Sequence, residues 1–254
     1  MHNWLEFNGQ KSTDLGLTIE RIPNANRPAR KYDRYSVPGR NGDIFVFQDA
    51  WENLEQSYEI CWKGTPVDTG YSIAEWLFGS SGYQMLTDSY DPLHYRNAVF
   101  LGPYDVENTL MRYGRATITF DCDPRRFLTS GLTPISFTSE TPLFEVTNPT
   151  PFIAKPTIDI QIGPTDNDAM IYIGSQSVSY GSTTMDLLGN TDGNHVIIFS
   201  EDEAVCWSPV GEVRARWSGE VSGEFPLIFP GVNDVQIDPG ANGYGTIIPN
   251  WWTL

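Results

Sequence analysis

Chemistry would have to start from few residues. The chain has three histidines, His2, His94 and His195, and none forms an HxH, HxxxH or HExxH pattern. Glu201 and Glu203 in "SEDEA" would share a face of an extended segment, roughly 6.5–7 Å apart. That overlaps the carboxyl spacing of an inverting glycosidase. Such carboxyls must face each other across a substrate, so a charged hairpin tip is the better reading. "PTDNDAM" offers Asp166, Asn167 and Asp168, but a calcium loop needs a Glu at its twelfth position, where Ser177 stands. "GANGYG" has the glycines of a phosphate cradle and no helix after it. Cys61, Cys122 and Cys206 are far apart and form no CxxC pair, so zinc ligation has no local support. There is no nucleophile elbow. The residues predict no catalytic site, no cofactor and no metal.

A binding or structural role is what remains, and composition bounds it. The 254 residues suffice for one large all-β domain or two ordinary ones. Aromatics make up 13% of the chain, and its 23 Gly and 18 Pro suit short strands joined by turns. The net charge is −16, and it is unevenly placed. Residues 1–138 carry 13 Lys+Arg against 17 Asp+Glu, and residues 139–254 carry 3 against 15. Such an acidic half repels nucleic-acid phosphates. The start "MHNWLEFNGQ" has neither the basic nor the apolar region of a signal peptide. No apolar run approaches the ~18–20 residues of a membrane span, so no membrane insertion is expected. The cysteines suit small core positions in a reducing cytosol.

The elements follow from periodicity. "DIFVFQ" and "YEICWKG" read as strands, the second with Tyr58, Ile60 and Trp62 on one face. "SIAEWLFG" predicts a helix, with Ser72 as N-cap, Glu75 closing a capping box and Gly79 at the end. "YQMLT", "NAVFLGPY" and "GRATITFDC" are strands again, and Ala116, Ile118 and Phe120 alternate with polar residues in the last. "DPRRFLTSGLTPISFTSETPLF" is the expected boundary, giving domains 1–138 and 139–254. Beyond it "TIDIQI", "MIYIG", "HVIIF", "EVRARW" and "NDVQI" predict strands only, as in a β-sandwich or jelly roll.

Two features could carry recognition. Residues 21–40 hold Arg21, Arg27, Arg30, Lys31, Arg34 and Arg40 among Asn and Pro, which reads as an extended loop. It ends in "VPGRNGD", where Gly39 and Gly42 flank Arg40-Asn41 and allow positive φ at either end. Arginines there could dock on acidic neighbours. Trp207 and Trp217, in the all-β half, are weak candidates for stacking on sugars, against core packing as the commoner use.

Several stretches in order resemble the distal tail (Dit) proteins of long, flexible-tailed bacteriophages. They are "FNGQKSTDLGL", "VPGRNGD", "IAEWLFGSSGYQMLTDSYDPLHYRNA", "ITFDCDPRR", "FEVTNPTPFIAKPTIDI", "FPLIFPGVNDVQI" and "PNWWTL". The resemblance spans nearly the whole chain and matches the short form, without an inserted arm. It implies a mainly β fold: an N-terminal β-rich, ring-forming domain with one helix, then a C-terminal galectin-like β-sandwich. It implies a non-enzymatic hub in the virion, at the distal end of the tail, synthesised and assembled in the host bacterial cytoplasm. Six copies form a ring that joins the tail tube protein to the tail tip or central fibre protein. DNA only transits the channel. Arg27, Arg30, Lys31, Arg34, Arg40, Asn41 and Asp43 are then candidate inter-subunit contacts. The alternative is a carbohydrate-binding adhesin module that recognises the host surface.

Overall fold

Two long alternating segments dictate the first sheet. Leu54–Lys63 and Tyr113–Cys122 pair antiparallel over ten residues, from Leu54↔Cys122 to Lys63↔Tyr113. Tyr58, Ile60 and Trp62 project into a core with Ala116, Ile118 and Phe120, all buried. The computed structural model describes residues 3–21, 26–63, 66–103, 106–110, 113–161, 168–177, 181–188, 195–199, 203–207, 214–216, 220–240 and 242–254. The chain divides into two units, residues 1–126 with 254, and residues 127–253. The expected boundary after residue 138 falls inside the second unit. Ile135–Thr138 is already a strand there, paired with Tyr244–Ile248, and Phe137 sits in that unit's core. The Ser, Thr and Pro that suggested a linker flank a strand.

In the first unit the sheet runs Gln10–Lys11, Leu5–Phe7, Gln84–Asp88, His94–Phe100, Tyr113–Cys122, Leu54–Lys63, Leu17–Ile19. Val106–Leu110 also pairs with Tyr113–Cys122. Phe7, Phe100 and Phe120 form an aromatic centre, with Phe120 4.8 Å from Phe7 and 5.8 Å from Phe100 between ring centroids. Gly114 lies opposite Trp62, and a Cβ there would stand 2.2 Å from the indole Cζ2. The strand therefore needs glycine at that point.

The helix spans Pro66–Phe78, six residues earlier than the expected start at Ser72. Proline suits a first turn, where its missing N–H is not needed. Thr69 and Gly70, poor helix formers, hide the first turns from a propensity reading. Ser72 is thus inside the helix rather than its cap. Ile73, Trp76 and Leu77 face the core as expected, and Trp76 Nε1 donates to the Phe7 carbonyl at 3.1 Å.

The second unit is two antiparallel sheets. One runs Ile135–Thr138, Tyr244–Ile248, Thr157–Gln161, His195–Phe199, Glu203–Trp207, Arg214–Arg216. The other runs Leu143–Asn148, Gly231–Asp238, Asp168–Ser175, Ser182–Leu188, Glu220–Gly223. Ile158, Ile160, Ile198 and Ile247 of the first share one core with Val146, Ile171, Ile173, Val235 and Ile237 of the second. This is the layered architecture of a β-sandwich.

Two buried asparagines fasten its loops. Asn233 is fully buried, and its amide donates to the carbonyls of Val146, Phe229 and Gly231 while its oxygen accepts the Phe229 N–H. Asn148 donates to Phe152 and Ile228 carbonyls and accepts from the N–H and hydroxyl of Thr150. The "FEVTNPTPF" entry and the "PNWWTL" exit meet: Trp252 stacks on Phe152 at 4.3 Å and donates to the Ile153 carbonyl, and Asn250 donates to Lys155.

Candidate functional site: an uncovered hairpin and an arginine cleft

The basic segment is not the extended loop that its prolines suggested. Arg30–Tyr35 is a strand, paired antiparallel with Ile44–Trp51 in a sheet of two. The prolines lie before and after it, at 28 and 38, and none falls inside the ladder. Tyr32, Arg34 and Tyr35 supply the aromatic and long side chains that a pleated ribbon accepts.

The register sorts the two faces. Tyr32 lies opposite Phe47 and Arg34 opposite Phe45, so one face carries Tyr32, Arg34, Phe45 and Phe47. Tyr32 meets Phe45 edge-on at 5.4 Å and Phe47 at 6.3 Å. The Arg30 guanidinium covers the rings of Phe47 and Trp51, and Arg34 lies over Phe45. The other face carries Asp33, Tyr35, Ile44 and Val46, with Gln48 donating to Asp33. Every residue of Arg30–Tyr35 and the first six of Ile44–Trp51 are exposed. Tyr32, Phe45 and Phe47 each leave about half of their surface open, at 49%, 48% and 53%. A two-stranded ribbon with both faces in water is marginal, and open aromatic surface of this kind is a common mark of interaction sites.

The tip is a turn held by its own chemistry. Gly39 and Gly42 take φ of 82° and 81°, as their positions around Arg40-Asn41 led one to expect. A Cβ at either would meet nothing, so the demand is conformational. The Arg40 N–H donates to the Val37 carbonyl. Asp43 pairs with Arg34 across the tip through both Nε and Nη2. The side chains of Lys31, Arg40 and Asn41 are exposed. The structure thus gathers six of the seven candidate contacts, Arg30, Lys31, Arg34, Arg40, Asn41 and Asp43, on one ribbon.

Arg27 lies elsewhere. It stands exposed at the lip of a cleft of about 300 Å³ in the first unit, with Arg96 and Arg126 on the walls. Arg126 holds Asp91 through Nε at 2.8 Å and through Nη2, and His94 Nδ1 lies 2.8 Å from the other Asp91 oxygen. Burial pushes the Asp91 carboxyl up, but the hydrogen bonds from His94 and Arg126 outweigh it and hold its pKa below the ordinary value. Tyr58, 3% exposed, donates to Asp88 at 2.8 Å. Burial, reinforced by that carboxylate, pushes Tyr58 well above the usual phenol range. These residues are scattered in sequence and match no motif. One signal existed: in Leu54–Lys63 the core-facing series reads Leu54, Gln56, Tyr58, Ile60, Trp62, with a glutamine among apolar residues.

Other candidates stay apart. Trp207 ends the strand Glu203–Trp207 opposite His195, and only their backbones are described. Glu203 and Asp168 are likewise strand residues known by backbone alone. His2, Glu201, Asp166, Asn167 and Trp217 lie outside the described residues. Cys122 is buried and Cys61 half-buried. Among the described residues no three His, Cys, Asp or Glu are grouped to hold a metal, and no helix is long and apolar enough to cross a membrane.

No protein-family model matches the sequence, and no curated protein does. Solved structures do. The chain is similar to the SPP1 Dit protein, described as a paradigm of the hub adsorption apparatus in phages infecting Gram-positive bacteria. The TM-score is 0.68 at 10% identity, over 100% of both chains. It is also similar to chains of the phage P2 baseplate in its activated conformation. With Ca the TM-score is 0.55 at 8% identity, over 97% of this chain and 98% of that one. With Sr it is 0.55 at 9% identity, over 96% and 97%. From end to end, then, the chain has the mainly β fold of the phage Dit hub protein.

Proposed function

We propose that the protein is a non-enzymatic structural hub of a long, flexible phage tail. Six copies form a ring at the distal end of the tail tube. The ring joins the tube protein to the tail tip or central fibre protein and leaves a channel through which DNA passes. The first unit builds the ring, and the second is a galectin-like sandwich carried by it. The observation that carries the reading is the uncovered hairpin. A ribbon with aromatic residues open on one face, aliphatic ones on the other and an arginine turn at its end is built to lie against another protein. Full-length likeness to a hub protein makes a second copy the occupant that fits. Arginine suits such a contact because its planar fork accepts carboxylates at two points, and the chain is rich in carboxylates.

Light scattering over a concentration series, with negative-stain imaging of the purified chain and of tail tips, tests this. Rings of six-fold symmetry are expected. A chain that stays monomeric at high concentration, together with tail tips lacking a six-fold ring that contains it, overturns the proposal. Both results are required because ring assembly depends on concentration.

A further inference from the structure

The arginine cleft holds donors that the protein itself leaves unused. Gln56 is 8% exposed and lines the cleft, and its side-chain amide has no hydrogen-bond partner among the described residues. Arg96, half-buried beside it, donates once, from Nη1 to the Pro124 carbonyl at 3.1 Å. Its other N–H donors have no protein acceptor among the described residues. Burial lowers the Arg96 pKa, and the nearby charges of Arg126 and Arg27 add to that. The acids on the walls are committed elsewhere. Asp91 is taken by Arg126 and His94, and Asp88 by the Tyr58 hydroxyl and the N–H groups of Tyr90 and Asp91. The cleft thus opens to solvent an amide and guanidinium donors that no protein acceptor among the described residues takes up, the kind of donors that a carboxylate binds through charge-assisted hydrogen bonds.

We propose that the cleft is a binding site for a carboxylate carrying one negative charge, seated on Arg96 and the Gln56 amide with Arg27 at the entrance. Three arginines against two aspartates leave one positive charge in the lining. That balance suits a monoanion, whereas a doubly charged phosphate would meet Asp88 and Asp91. The carboxylate has two sources: a free sugar acid, for which the volume has room, or a Glu or Asp side chain of a neighbouring copy.

Titrating the full chain with sodium acetate and with D-glucuronate, followed by NMR of the Gln56 side-chain amide and the Arg96 Nε–H, tests the site. D-Glucose and sodium chloride serve as controls. Saturable shifts are expected with the two acids and not with the controls. Arg96→Gln should weaken binding by ~10-fold or more, the scale of a lost charged hydrogen bond. Gln56→Leu should act likewise in a variant that keeps the core volume. Arg27→Gln, at an exposed position that cannot disturb folding, should weaken it less. Tighter binding of glucuronate than of acetate assigns the site to a free sugar acid. Equal binding of the two, with weaker self-association of Arg96→Gln, assigns it to a side chain of a second copy. No saturable shift with either acid, or shifts undiminished in all three variants, overturns the proposal. Ring assembly with no acid binding would defeat this site and leave the hub reading intact.

Discussion

Replacing Phe47 by alanine should damage assembly and spare the fold. A phenylalanine covers ~150–250 Å² when fully buried. Phe47 leaves 53% of its surface open, so about 100 Å² awaits a partner. At ~25 cal/mol per Å² that is about 2.5 kcal/mol if the partner covers all of it. Alanine retains part of the contact, which leaves about 2 kcal/mol, or roughly 30-fold in association per interface. The cost to folding is smaller. Phe47 loses its edge contact with Tyr32 and its cover by Arg30, worth about 0.5–1 kcal/mol as a cross-strand pair. The core residues of the first unit do not include it. Sedimentation velocity over a concentration series should show the ring forming only at much higher concentration. Thermal unfolding of the dilute monomer should move by no more than a few degrees. Unchanged assembly with a clearly lower unfolding temperature would show that Phe47 serves its own chain, and the hairpin argument would fall.

Other outcomes follow from single contacts. Arg40→Ala should weaken ring assembly more than folding, because its side chain is exposed at the tip; normal assembly with a large fall in melting temperature would show the reverse. Gly114→Ala should destabilise the first unit by about 1–3 kcal/mol in urea unfolding, since the new methyl overlaps the buried Trp62 indole; an unchanged midpoint would mean the strands separate freely there. Cys122, whose thiol burial pushes up to about 12, should resist iodoacetamide at neutral pH in the native chain and react after unfolding, as read by peptide mass spectrometry. Asp91 has a folded pKa below its unfolded one, so its contribution to stability is full above the unfolded value near 4. That contribution is lost as the pH falls through the lower folded value, and Asp91→Asn should flatten that part of the stability profile.

Much of this architecture was legible because period-two alternation states which face is buried. Tyr58, Ile60 and Trp62, and Ala116, Ile118 and Phe120, were read correctly for that reason. Five strands of the second half were equally plain and suggested the sandwich, whereas Leu143–Asn148, Ser182–Leu188, Glu203–Trp207, Glu220–Gly223 and Tyr244–Ile248 were not singled out. What local pattern could not show was context. The helix start at Pro66 was masked by Thr69 and Gly70. The strand Arg30–Tyr35 was masked by its charges, which suit a ribbon with no buried face but do not announce one. The hairpin tip at Arg40 was legible as a turn, and its glycines behave as read. The cleft was not, since Arg27, Gln56, Arg96 and Arg126 come together only through strand register. Gln56 in an apolar series was the one local hint.

The buried asparagines of the second unit bear on how the chain avoids error. A strand pair slipped by two residues would keep its apolar face inward, and hydrophobic burial alone would barely object. Asn233 objects. Phe229 and Gly231 hold its amide locally, but only the native alignment also offers it the Val146 carbonyl from the neighbouring strand, and Asn148 imposes a matching condition through the distant Ile228 carbonyl. A near-miss alignment keeps the local bonds to Phe229, Gly231, Phe152 and Thr150 but forfeits the long-range ones to Val146 and Ile228 in a dry interior, so it is penalised. Such intolerance of approximate folding is a form of quality control written into two side chains.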